Sequence, residues 1–155
     1  LELEPHILDS LANGSDISPY SSKASHMTFV SSLHYHSTDT AVYGYQYPGN
    51  HPLIKGHFPD NPVMMGICQW QMLEDAMAHY FSQAFDNGTH TLTCNAQIFK
   101  SDQTKVCDIK LATIVGQFSD NQWHVHTSAV KKVMFKQRII PNDQLYIYIS
   151  NIAAQ

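Results

Sequence analysis

Residues 56–78 read Gly56-His57-Phe58-Pro59-Asp60-Asn61-Pro62-Val63-Met64-Met65-Gly66-Ile67-Cys68-Gln69-Trp70-Gln71-Met72-Leu73-Glu74-Asp75-Ala76-Met77-Ala78. The first half is a stiff turn. Pro59 and Pro62 each lock their own φ, and Gly66 permits a turn that a side chain would hinder. The second half is a helix, because apolar residues recur at helical spacing through Leu73, Ala76, Met77, Tyr80 and Ala84. Ile67, Cys68, Trp70, Met72 and Phe81 make it apolar on nearly every side, and such a helix is expected to be buried, with its Met and Trp residues in the core. Asp86-Asn87-Gly88 stops it near Phe85.

Outward from this stretch, the chain reads mostly as strands. Residues 26–37 and 40–47 precede the turn, and Tyr43, Tyr45 and Tyr47 alternate so as to share one face. His90–Phe99, Thr104–Val115 and Gln122–Ala129 follow the helix, and a last strand begins near Leu145. Residues 1–25 are polar and turn-rich, with a short helix over Pro5–Ala12, and form a lead-in to a single domain over 26–155.

Composition narrows the function. Charged residues are only 14% of the 155, and the formal charge is −4, which disfavours nucleic acid as a partner. Lys131, Lys132, Lys136 and Arg138 cluster; a solvated strand and turn accounts for them, and a docking patch for an acidic carrier protein is the sharper alternative. Cys68, Cys94 and Cys107 form neither a CxxC nor an even framework, pointing to a reduced, cytoplasmic setting. No apolar run approaches a membrane span. His34 and His36, two apart on one strand, are expected on a common face; H-x-H can supply two imidazoles to a metal, but no third ligand follows from spacing, so no metal site is expected.

Gly56-His57-Phe58-Pro59, Pro62, Met64 and Gly66 resemble, in register, the central motif of the hot-dog-fold (3R)-hydroxyacyl-acyl carrier protein dehydratases, G-H-F-P-G-x-P-x-M-P-G. Phe135-Lys136, Ile140, Pro141, Asp143 and Leu145 resemble a second family stretch, with Asn142 where glycine is usual; Asn is the next best residue at positive φ. In the family this stretch follows the helix closely, whereas here about three strands intervene. The resemblance implies an α+β hot-dog fold, a bent antiparallel sheet wrapped around one long central apolar helix. It also implies a homodimer or higher oligomer, with sites between subunits.

The implied chemistry is that of an acyl thioester carried by acyl carrier protein or coenzyme A, with no further cofactor. A helix start offers unpaired N–H groups and partial positive charge to the thioester carbonyl. By resemblance the Gly66 N–H is the donor with Ile67 nearby, His57 is the base for the α-proton, and Phe58 and Pro59 line the substrate. The family acid lies fourteen residues beyond the histidine, where this chain has Gln71; the family glutamine, four further on, is Asp75. Residues i and i+4 stack on one face, so Asp75 can reach the same cavity from one turn deeper, while Gln71 can hydrogen-bond a hydroxyl or orient water.

Three activities stay open. One is a 3-hydroxyacyl-thioester dehydratase or hydratase with Asp75 as acid. Another is an acyl thioesterase in which Asp75 or Glu74 activates water. The third is a non-catalytic thioester-binding module. The ordinary place for a helical carboxylate is an exposed face, and that is the expectation for Glu74.

Overall fold

The computed structural model describes residues 3–17, 28–48 and 66–155, and the side chains of the second helix from Cys68 onward. The elements run α1 (Pro5–Ser10), β1 (Ser15–Asp16), β2 (Ser32–His36), β3 (Ala41–Gln46), α2 (Gly66–Ala84), β4 (Thr89–Lys100), β5 (Lys105–Ser119), β6 (Gln122–Phe135) and β7 (Gln144–Ala154). The strands form one antiparallel sheet in the order β1-β2-β3-β7-β4-β5-β6.

Local chemistry sets the punctuation. Gly88, just past α2, has φ +90, a conformation glycine adopts without strain. The β5–β6 hairpin closes through Asp120 and Asn121, both at positive φ between the paired Ser119 and Gln122, as a two-residue turn requires. Asn142 sits at φ 73, as its place in the motif leads one to expect. That turn is fastened twice: the Asn142 N–H donates to the Tyr47 carbonyl at 2.6 Å, and the Asp143 carboxylate accepts the Ile140 N–H at 2.9 Å.

β7 is the last strand in sequence, yet it lies inside the sheet, between β3 and β4. It pairs Tyr43 with Ile147 on one side and Ile98 with Ile147 on the other. One face of the sheet meets α2 through Tyr43, Tyr45, Ile98, Ile114, Ile147 and Ile149, all buried. The three alternating tyrosines do share that face, and Met72, Leu73, Met77 and Phe81 fill it from the helix. Trp70 departs from the expected core role and is only half-buried.

The opposite face holds a smaller cluster of Leu3, Ile7, Val42 and Phe99. α1 thus docks on the back of the sheet, so the lead-in segment contributes buried apolar residues although its composition is polar. α1 stops at Ser10 rather than Ala12.

Several boundaries shift. β2 is shorter than expected: residues 28–31 are irregular, and 26–27 lie outside the described residues. β6 runs on through Lys131 and Lys132 to Phe135 because it stays paired with β5 down to Cys107. Those lysines are exposed on an edge strand, and Lys136 and Arg138 are exposed beyond it; edge lysines discourage further pairing.

The expected common face of His34 and His36 is corrected. Leu33 pairs with Tyr43 but Tyr35 pairs with Val42, so one extra residue bulges between them. His34 is then thrown to the back, its ring edge-on to Tyr146 at 5.1 Å, while His36 faces the helix beside Tyr80 at 5.2 Å. No group of three or more His, Cys, Asp or Glu is placed to hold a metal ion among the described residues.

Candidate functional site

Gly66 and Ile67 open α2, where the first-turn N–H groups have no partner inside the helix. His57, Phe58 and Pro59 lie outside the described residues. Gln71 is half-buried one turn into the helix. Asp75, one turn deeper, is 3% exposed, so it does not occupy the ordinary solvated place for a helical carboxylate.

Asp75 is engaged. Its Oδ2 accepts the backbone N–H of Phe29 at 2.8 Å. The Phe29 ring stands edge-on to Tyr45, 5.7 Å between centroids. Tyr45 lies near Tyr47, Cys68 and Asp75; burial first, and then those three neighbours, push its phenol up to about 12. Burial and then Cys68 push Tyr47 up to about 12 as well. Both phenols therefore keep their protons across the neutral range, as donors.

Further along α2, the Tyr43 hydroxyl and His79 Nδ1 share a hydrogen bond at 2.9 Å. Burial holds the His79 pKa below the usual histidine value, and the nearby His36 lowers it further. Burial, followed by neighbouring Tyr80, drives the Tyr43 phenol far up. His79 also borders a cavity of 590 Å³ at the far end of the helix, with Asp16, Leu33, Ser82, Phe85 and Trp123.

These contacts reveal a pattern that the sequence reading missed. Cys68, Met72, Asp75 and His79 follow i, i+4, i+7, i+11, one stripe of a helix, and Tyr47, Tyr45 and Tyr43 are alternate residues of β3. Polar groups meet in pairs down that seam. Both periodicities are visible in sequence; that they face each other is not.

Glu74 is also corrected. It is part-buried, and its Oε2 accepts the Thr127 N–H at 2.7 Å. Thr127 adjoins a bulge, where Thr113 pairs with Ala129 and Ile114 with Thr127. An edge strand carries unpaired N–H groups, and this one is capped by the helix. Glu74 is thereby committed to holding α2 on β6.

An antiparallel seven-stranded sheet packed on an apolar helix is consistent with the α+β hot-dog class. Residues 33–100, which span β2, β3, α2 and β4, match the family model of the ApeI-like dehydratases, described as ApeI dehydratase. The match supports the dehydratase-like reading of the His57 motif and the helix. No curated protein matches the chain. Among the described residues no helix is long and apolar enough to cross a membrane.

Proposed function

We propose that this protein is a 3-hydroxyacyl-thioester dehydratase, or the hydratase of the reverse direction, acting on a chain carried by acyl carrier protein or coenzyme A. The observation that carries the reading is the dehydratase family match over residues 33–100, which contains His57, the start of α2, Gln71 and Asp75. The α2 amides at Gly66 and Ile67 polarise the thioester carbonyl, which lowers the energy of the enolate-like oxygen. His57 removes the α-proton. The Gln71/Asp75 pair attends the departing 3-hydroxyl, Gln71 by hydrogen bonding and Asp75 from one turn deeper. Phe58 and Pro59 border the chain.

The same reading takes α2 as the central helix of a bent sheet. Its backbone comes nearest β6, yet His79 bonds Tyr43 of β3, four places away in the strand order. In a flat sheet those strands stand about 19 Å apart, and curvature removes the conflict. Homodimers, a fatty-acid or polyketide-like chain and a cytoplasmic setting belong to this proposal; the three buried cysteines, set far apart in sequence, suit a reducing compartment.

The test follows enoyl absorbance as 3-hydroxyacyl-CoA and the acyl-carrier-protein thioester are presented to the protein. Dehydration by wild type and silence in His57→Ala support the reading. Release of free thiol from saturated acyl-CoA, lost in Asp75→Asn, transfers it to a thioesterase. A raised melting temperature with acyl-CoA and no turnover leaves a binding module.

A further inference from the structure

Among the described residues, three buried side-chain atoms have no hydrogen-bond partner: His34 Nδ1, Gln69 Oε1 and Thr127 Oγ1. A buried polar atom without a partner is costly, and a native structure that retains one calls for an explanation. Two have local ones. His34 is on the back of the sheet, its Nε2 bonded to Ser32 Oγ at 2.8 Å. Thr127 stands at a bulge on an edge strand, next to the amide that Glu74 caps. Gln69 has neither excuse: it is 3% exposed, in the first turn of α2.

Its position matters because of what else that turn carries. The four leading N–H groups of a helix are donors without intrahelical partners, and Gln69 is the fourth residue of α2. The turn therefore combines backbone donors with one buried side-chain acceptor. Oε1 of an amide can only accept, so the missing partner is an O–H or N–H group. A saturated acyl chain has no such group, and an enoyl chain has none. A 3-hydroxyacyl thioester has both complements two carbons apart: a carbonyl oxygen for the donors and a hydroxyl for the acceptor.

We propose that Gln69 is the residue that selects a 3-hydroxyacyl chain, its Oε1 accepting the substrate's 3-hydroxyl. This rests on the thioester reading above and adds a specificity residue outside the Gln71/Asp75 pair. Discrimination arises because a chain lacking the hydroxyl leaves Oε1 buried and unpaired. The hydroxyl's own lone pairs stay available to the acid pair as it leaves. Once the enoyl product forms, Oε1 loses its partner again, which favours release.

The variant that tests this is Gln69→Met, close in volume and without the orphan oxygen. Binding is measured by calorimetry in the His57→Ala background, where ligand is not turned over, with 3-hydroxyoctanoyl-CoA and octanoyl-CoA as probes. The expected result is a preference of about tenfold for the hydroxylated probe. Gln69→Met abolishes the preference, keeps octanoyl-CoA binding, and raises the melting temperature by about 2–4 °C because an unpaired buried group is gone. A preference that survives in Gln69→Met overturns the assignment. Equal binding of both probes by the protein with Gln69 intact also overturns it, while leaving the thioester reading in place. Binding of neither probe overturns both.

Discussion

The Asp75 carboxylate accepts the backbone N–H of Phe29 at 2.8 Å, across 46 residues of sequence, and both residues are buried. The bond fastens the irregular run before β2 to the middle of α2. Asp75→Ala removes this acceptor from the core and is expected to lower the unfolding free energy by about 1–3 kcal/mol. Asp75→Asn keeps an acceptor oxygen and is expected to cost less. Urea unfolding of the two variants at one pH measures this, and equal losses would mean that the bond contributes nothing. Enoyl formation separates the roles: Asn preserves the fastening but has no acidic proton, so a large activity loss in Asp75→Asn assigns Asp75 to chemistry as well.

Histidines make the fold acid-sensitive. Burial holds His34, His36 and His79 below the ordinary value of 6.5. A histidine whose folded pKa is depressed binds fewer protons folded than unfolded in the window just below 6.5, so stability rises with pH there. The contribution is complete above about 6.5 and declines as pH falls toward the folded pKa values. Melting temperature is therefore expected to be flat near pH 7–8 and to drop from about pH 6.5 downward. His79→Gln should shallow that slope. An unchanged slope would remove His79 from the account.

Tyr43 and His79 are coupled by their 2.9 Å hydrogen bond. Tyr43→Phe keeps the ring and removes the hydroxyl, so His79 Nδ1 loses this partner. A loss of about 1 kcal/mol is expected in denaturant unfolding. In a double-mutant cycle with His79→Gln the two losses should not add, because the same bond is counted in each. Strict additivity would show that the pair does not interact.

A steric prediction tests the core. A Cβ at Gly116 would stand 2.7 Å from two ring carbons of Phe81, and that ring is fully buried and stacked on Trp123. Gly116→Ala must displace an aromatic stack, at about 1–3 kcal/mol. Phe81→Leu in the same chain should recover part of it. Thermal unfolding of the single and double variants decides, and a neutral Gly116→Ala would mean the strand can shift freely.

Glu74 offers a matched pair of substitutions. Its Oε2 holds the Thr127 N–H of the edge strand at 2.7 Å. Glu74→Ala should raise amide exchange at Thr127 and lower stability by about 1–3 kcal/mol. Glu74→Gln keeps an acceptor and should restore most of the protection. Exchange unaffected in both would assign the amide another protector.

The helix was readable because its signal is local: apolar spacing from Gly66, ended by Asp86-Asn87-Gly88. The strands and the Asn142 turn were readable for the same reason, since period-two alternation and turn residues act over a few positions. Counting from His57 locates Gln71 and Asp75 in the chain. What they touch is not legible there, because Phe29 reaches Asp75 through tertiary packing alone. Helical phase alone makes Glu74 solvent-facing, and the bulge beside Thr127 gives it a partner. Simple alternation puts His34 and His36 on one face, and one inserted residue separates them.

The order of residues by itself determined which segments are helix and strand and where the chain turns, since propensity and periodicity are properties of short windows. It also determined the His57 motif, by its resemblance to the dehydratases. Only the tertiary structure decided that β7 enters the sheet between β3 and β4, that α1 covers the back face, and that Tyr47, Tyr45 and Tyr43 meet the Cys68–His79 stripe. Those outcomes depend on contacts between residues far apart in the chain, where many pairings satisfy the local rules. The one that buries the apolar faces while pairing their polar groups is selected.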